Sequence, residues 1–398
     1  MRNNEGRYIN FDEYIRQGEP SRREKASIWQ TAIGLQAVDG LKTSEYLHEA
    51  ARRHIEGEIG IDDVRALLKT YYQTKQEREP DDEEKQEADK VSANITKILS
   101  TKALDFSAKG LIALHRRIFE GVYKHAGKVR DYDITKEEWV LDGDTVNYLN
   151  WEDLHRAIEY DIEEERRFSY RGISKDELAG HITRFVSGLW QIHPFGEGNT
   201  RTTAVFTILY LRHIGFAVDN DMFAYHSWYF RNALVRANYK NAVKGIDYSP
   251  VYLERFFRNL LLGEQWDLRN RYLHIQPTEE WKEQRNMSVP PTSTGQVEDK
   301  YNTSRGQVED KLHTDNPNIL KLVQVVGERE LSVKEMMNEM ELKGRDNFLN
   351  LYLNPSISDG YIRPLHPQSP RHPRQRYLLT VKGLALYKEI ESKGEGKQ

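Results

Sequence analysis

The chain has 398 residues, of which 30% are charged and 11% aromatic, and 58 basic side chains face 62 acidic ones for a net charge of −4. With a mean hydropathy of −0.77, no stretch approaches the ~18 apolar residues that span a bilayer. The absence of cysteine excludes disulfides, thiolate zinc sites and a cysteine nucleophile. Met1-Arg2-Asn3-Asn4-Glu5 lacks the apolar core of a signal peptide, so a cytoplasmic address and no membrane contact are expected. The balanced charge leaves any nucleic-acid binding to a local patch.

In chain order, helical spacing first predicts an amphipathic run from Ala26 to Val38, ended by Asp39-Gly40. Ser44 opens a second run, and Ile61 to Tyr72 makes a third. Gln73 to Glu87 is almost free of apolar residues and reads as a linker or a solvated helix edge. From Ala88 to Glu264 the helical pattern is dense, interrupted between Val129 and Tyr148. There Glu138–Leu141 and Thr145–Tyr148 flank Asp142-Gly143, which predicts a β-hairpin. Ser174 and Glu177 form a capping box ahead of Leu178, Ile182, Phe185 and Leu189; Val205 to Leu211 continue as a buried helix.

Residues 277–312 change character. They carry Pro290-Pro291 and a direct repeat, Gly295–Lys300 and Gly306–Lys311, and read as a flexible linker. Three short helices then follow over Ile319–Val326, Ser332–Met340 and Asp346–Leu353. Two strands, Tyr361–Pro364 and Arg376–Leu379, and a closing helix complete the pattern of a winged helix. Its hairpin tip carries Arg363, His366, Arg371, His372, Arg374 and Arg376 without an acidic residue. A DNA backbone is one partner for such a tip; many winged helices bind protein instead.

Between the two core helices lies His193-Pro194-Phe195-Gly196-Glu197-Gly198-Asn199-Thr200-Arg201. A histidine titrating near ~6.5 accepts a proton from a hydroxyl at neutral pH. Glu197 is the oxygen ligand that Mg²⁺ takes beside substrate phosphates. Gly196 and Gly198 relax the turn, and the free N–H groups of Asn199, Thr200 and Arg201 open a helix N-terminus suited to an anion. Arg201 beside the positive end of the helix dipole is unfavourable unless an anion binds both. The plainer alternative is a glycine-rich helix–helix turn with a core histidine and a surface arginine; five functional residue types at fixed spacing argue against it.

This run resembles the signature of the Fic (filamentation induced by cAMP) family, H-x-F-x-[DE]-G-N-x-[RK]-x-x-R. The likeness extends upstream through Leu111–Arg130, with His115, Phe119, Tyr123, Ala126-Gly127 and Arg130, and downstream to Tyr229–Asn238. It implies a mainly α fold: an all-helical Fic core with a β-hairpin flap at 138–148 and a C-terminal winged-helix domain. It also implies protein adenylyltransfer, AMP passing from Mg²⁺-ATP to a Ser, Thr or Tyr hydroxyl of a target or of the chain itself. His193 would be the base and Glu197 the metal ligand. Phe195 and Gly196 would set the loop, with Gly198, Asn199 and Thr200 cradling phosphates. Arg201 would bind the phosphate tail, and Asn238 would contact base or phosphate. Thr145 to Asn147 would pair with target backbone. The expected division is 1–75 antitoxin-like, 76–276 Fic, 277–312 linker and 313–398 winged helix; a homodimer is left open.

One departure is plain. Ala204 stands where the signature ends in Arg, which in the family holds the γ-phosphate and pairs with an inhibitory Glu. Leu35–Gly40, with Asp39 for that Glu, and Arg52–Gly57, with Glu56, are the two candidate inhibitory segments. Two rivals to the enzyme stay open, a nucleotide-sensing DNA-binding regulator and transfer from a different NTP. His48 and His54, six apart, fall on different helix faces and do not make a zinc site. Tyr229, Phe230 and Tyr239 stack on a nucleobase or fill the core.

Overall fold

The computed structural model describes residues 19–75, 80–170, 172–216, 221–276, 316–365 and 375–380, with single residues and short stretches besides. Proline at the first turn opens helix α1 (Pro20–Gly34), which tightens into a 3₁₀ turn, Leu35–Asp39, closed by Gly40 at φ 71°. Ser44 caps α2 (Glu45–Glu56) by accepting from the Leu47 N–H, and α3 (Ile61–Thr74) follows. Within the charged stretch, helix α4 (Asp82–Thr101) starts earlier than its composition suggests. Lys75 and Asp82 pair at 2.6 Å there, and the first turn carries three acidic residues, which suit the helix dipole.

Next come α5 (Ala108–Ile118), α6 (Leu154–Arg167), α7 (Lys175–Ile192), α8 (Asn199–His213), α9 (Asp221–Tyr225), α10 (Ser227–Ala237) and α11 (Val251–Leu262). The capping box at the start of α7 forms as expected: Ser174 N–H donates to Glu177 at 2.8 Å, and Glu177 N–H donates to the Ser174 hydroxyl at 3.2 Å. Helix α8 is buried along its whole length from Asn199 to Leu211, so it forms the axis of the bundle. Tyr229 and Phe230 belong to the core, not to an open nucleobase platform.

The hairpin expected at 138–148 is absent. Trp139–Leu141 forms a 3₁₀ turn, with Asp142 at φ 57° and Gly143 at φ 81°. Val140 and Leu141 are both fully buried. Two consecutive inward side chains cannot be met by a strand, whose residues alternate between faces. The Val140 carbonyl instead accepts from the Ile275 N–H at 3.0 Å, a partner 135 positions away in the chain.

The C-terminal unit contains α12 (Pro317–Val326), α13 (Val333–Glu339) and α14 (Arg345–Phe348), continued by a π turn and α15 (Asn354–Ser358). Strands β1 (Ile362–Pro364) and β2 (Tyr377–Leu379) pair antiparallel, Arg363 opposite Leu378. They form the only sheet among the described residues. The tip residues His366, Arg371, His372 and Arg374, and the whole 277–312 linker, lie outside the described residues.

Three apolar clusters hold the chain. The largest runs through the bundle from Ile28 to Leu273, a second gathers Ala26, Trp29 and α2–α3, and a third fills the C-terminal unit. Helix α1 feeds the first two: Ile28 and Ala32 enter the bundle core, while Ala26 and Trp29 enter the N-terminal one. No described helix is long and apolar enough to cross a membrane.

Candidate active site

The nine-residue run joins α7 to α8. His193 ends α7 in the left-handed conformation, φ 50° and ψ 57°, which a non-glycine residue adopts only when its surroundings hold it there. Arg130 does the holding. Its Nε donates to the His193 carbonyl at 2.8 Å, another nitrogen donates to the Tyr132 carbonyl at 2.5 Å, and its own backbone N–H donates to the Pro194 carbonyl at 2.9 Å.

The His193 ring is 2% exposed. Its Nδ1 lies 3.3 Å from the Trp190 carbonyl, and a carbonyl only accepts, so Nδ1 carries the proton. Nε2 is therefore the basic nitrogen, and it is buried without a partner. Burial first, then the charge of Lys136, pushes the imidazole well below its ordinary value. A neutral ring with its lone pair unspent is the form a general base needs. The Tyr148 ring lies over it, centroids 4.0 Å apart.

The turn is closed from within. The Asn199 side chain accepts from the Phe195 N–H at 2.9 Å and donates to the Phe195 carbonyl at 2.6 Å. Phe195 stacks on His115, centroids 3.8 Å apart. His115 accepts the Gly127 N–H at Nδ1 (2.8 Å), so its Nε2 carries hydrogen and donates to the Glu197 carbonyl at 3.0 Å. Gly198, at φ 77°, is the N-cap of α8, and a Cβ there would overlap the Phe119 ring. The first intrahelical bond of α8 belongs to Thr202, which leaves the N–H groups of Asn199, Thr200 and Arg201 for an anion. The Thr200 hydroxyl accepts from the Trp190 indole at 3.0 Å.

Glu197 is half-exposed and pairs with Lys136 at 2.9 Å. No described cluster of three His, Cys, Asp or Glu exists. A divalent ion held by Glu197 would thus have fewer than three such side chains among the described residues. That suits Mg²⁺, which keeps several waters and takes its remaining oxygens from substrate phosphates.

Arg201 is 1% exposed. Its Nε lies 2.8 Å from Asp39, its Nη1 donates to Gln36 at 3.0 Å, and its Nη2 donates to Glu87 at 2.7 Å and to the Tyr123 hydroxyl at 3.2 Å. The 3₁₀ turn at the end of α1 thus reaches the first turn of α8 at the end of the loop. Glu56, the other inhibitory candidate, pairs instead with Arg22 at 3.0 Å. Asp39 also lies 3.3 Å from Arg231 on α10, whose second amino group grips Glu138 at 3.1 Å. Burial pushes the Glu138 carboxyl up, and Arg231 opposes that.

Of the residues singled out from sequence, His193, Phe195, Gly196, Glu197, Gly198, Asn199, Thr200 and Arg201 share one loop. Asn238 caps α10, its amide donating to the Ser187 hydroxyl at 3.0 Å and the Leu234 carbonyl at 2.9 Å. His54 accepts from the Trp29 indole at 3.0 Å, a core contact. Gln36, Glu87 and Arg231 had no local signal. Gln36 and Glu87 meet Arg201 from distant parts of the chain, and Arg231 meets Asp39 beside it.

Two family models match. The Fic/DOC family covers residues 105–211. Residues 105–211 thus match a Fic domain. The C-terminal domain of the filamentation-induced-by-cAMP, Fic-like proteins covers 317–380. The chain is 25% identical over 181 residues to "Protein adenylyltransferase VbhT" of Bartonella schoenbuchensis, covering 42% of this chain and 37% of that one. It is 31% identical over 115 residues to "Probable protein adenylyltransferase y4lH" of Sinorhizobium fredii, covering 27% and 54%. It therefore spans between a third and just over half of the curated relatives it matches. Among solved structures, a Fic family protein from Desulfovibrio desulfuricans G20 aligns over 94% of this chain and 92% of its own, at TM-score 0.38 and 18% identity. Bartonella tribocorum BepC, with bound AMPPNP, aligns over 46% and 87%, at TM-score 0.34 and 18% identity.

Proposed function

We propose that the chain is a protein adenylyltransferase using Mg²⁺-ATP. The observation that carries this reading is the pairing of a buried, unpartnered imidazole nitrogen on His193 with the open N-terminus of α8 a few residues on. A base and an anion cradle on one rigid loop suit transfer of a phosphoryl-linked group to a hydroxyl.

In the proposed step a Ser, Thr or Tyr oxygen attacks the α-phosphorus. The new O–P bond forms as the bond to the pyrophosphate oxygen breaks, and the pyrophosphate leaves with that electron pair. The hydroxyl proton passes to His193 Nε2. The N–H groups of Asn199, Thr200 and Arg201 take charge developing on the phosphates. Glu197 would hold the Mg²⁺, which when bound supplies charge neutralisation at the phosphate oxygens. Arg130 and His115 keep the loop in register. Target docking at the 138–148 segment, by backbone pairing along Thr145–Asn147, belongs to the same proposal, as do the winged-helix reading of 313–398 and the division at 75/76.

A nucleotide-sensing regulator is the second reading, favoured by Ala204 and by the complete enclosure of Arg201. Incubation with each α-labelled NTP and Mg²⁺, beside a His193→Ala control, separates the readings. Label that disappears in the control supports transfer and names the donor. Nucleotide binding without label, with or without candidate targets, supports the sensor.

A further inference from the structure

One carboxylate sits between two guanidinium groups. Asp39 Oδ2 lies 2.8 Å from Arg201 Nε, and Asp39 Oδ1 lies 3.3 Å from Arg231 Nη1. Arg201 comes from the loop and Arg231 from α10, 30 positions later, so the convergence is built by the fold. The two carboxylate oxygens mark an anion position that both cations reach, and they stand in for the oxygens of a phosphate group. Arg231 also donates to the Val38 carbonyl at 2.6 Å. Every contact it makes with the 35–39 turn would be released if that turn withdrew, while Glu138 would still hold its other amino group at 3.1 Å.

From this geometry we infer that Arg231 is a second binding residue for the phosphate tail of the nucleotide, supplying from α10 the cation that Ala204 leaves out of α8. The inference rests on the nucleotide-binding reading above. Ala204 is fully buried in the helix axis and offers no donor. Arg231 is 17% exposed at its side chain, so it is partly desolvated yet reachable. Its position is fixed from below by Glu138, which is 2% exposed at its side chain. A guanidinium oriented in this way forms directional, charge-assisted bonds to phosphate oxygens. The motif's own arginine and the α10 arginine would then close on the tail from two sides.

The test compares nucleotides that differ only in the tail, using the full chain carrying Asp39→Ala so that the position is open. Affinities for ATP and AMP are measured by calorimetry with and without Arg231→Gln. The expected result is a loss of about 10- to 100-fold in ATP affinity, the usual worth of a charge-assisted hydrogen bond, with AMP affinity held within about two-fold. Arg231→Lys, which keeps the charge and loses the fork, should recover part of the loss. An equal loss for ATP and AMP, accompanied by a fall in melting temperature, would overturn the inference and assign Arg231 to supporting Glu138 alone. So would ATP affinity unchanged by Arg231→Gln. If the Asp39→Ala chain is folded but binds neither nucleotide, the nucleotide-binding reading itself fails, which is a different result. Should Arg231→Gln not fold, the double variant with Glu138→Gln removes the stranded carboxylate and repeats the measurement.

Discussion

Asp39 lies 2.8 Å from Arg201 across a sequence gap of 162 residues. The pair links the last turn before Gly40 to the first turn of α8, so the α8 end of the loop is covered by the turn that ends the chain's own N-terminal helix. Replacing Asp39 with alanine removes that anion while Glu87 and Gln36 still hold Arg201. Auto-adenylylation measured with α-labelled ATP should rise at least several-fold, and further when Gln36→Ala is added. Unchanged label in both variants would remove Asp39 from any inhibitory role.

His193→Ala should lower transfer by roughly 10²–10⁴, the worth of a positioned general base. Nucleotide affinity should be kept, since the cradle is made of backbone N–H groups on α8. A loss of binding together with rate would instead assign the histidine to the fold of the loop.

On the proposed reading, Lys136 would compete with a metal for Glu197. Their pair is partly exposed, and such pairs are worth about 0.2–1 kcal/mol. Lys136→Ala should therefore lower the Mg²⁺ concentration at half-maximal activity by roughly 1.5- to 5-fold. Titration of Mg²⁺ against initial rate reads this directly; a shift the other way would mean that Lys136 assists the substrate.

The two loop glycines should behave differently. At Gly198 a methyl group meets the Phe119 ring, and φ is 77°. Gly198→Ala should cost about 3 kcal/mol from backbone strain and overpacking together. At Gly196 a methyl group meets only the Tyr132 hydroxyl, at 2.7 Å, the far end of an exposed side chain. Gly196→Ala should stay within about 1 kcal/mol. Chemical denaturation of both variants checks the contrast, and equal losses would contradict it.

Burial holds His115 and His54 at about 4, and His193 well below 6.5. The unfolded chain takes up protons near 6.5 that the folded chain refuses. Their contribution to stability is therefore whole above about pH 6.5 and is lost as the pH falls toward 4, by roughly 3 kcal/mol for His115. Asp89, raised by burial to about 6, has the opposite sign and recovers stability over the same range. Burial also lowers His48, His213 and His226 and raises Glu138 and Asp161; six histidines outnumber three carboxyls, so the melting temperature should fall between pH 7 and pH 5. His115→Phe should flatten that fall, and a melting temperature that rises on acidification would contradict the assignment.

The loop was legible because its information is local. Phe195 and Asn199 close the turn within five residues, and Ser174 caps α7 within four. The 138–148 segment misled because Asp142-Gly143 gives a strong turn signal, whereas the Ile275 N–H that captures Val140 is far along the chain. Arg130 and His115 stood in the stretch that resembled the family, yet their contacts to the His193 and Glu197 carbonyls could not be read from spacing. Arg231 had no signature, because nothing in the sequence of α10 distinguishes it from Arg236 on the same helix.

Helix α1 gives Ile28 and Ala32 to the bundle core and Ala26 and Trp29 to the N-terminal core. The segment that carries Asp39 is thus not a detachable plug. A chain trimmed before residue 76 would expose apolar surface on the bundle along with Arg201, and insolubility could be mistaken for a change in activity. A point substitution at Asp39, not a truncation, is therefore the variant that separates loss of the Arg201 contact from loss of the core.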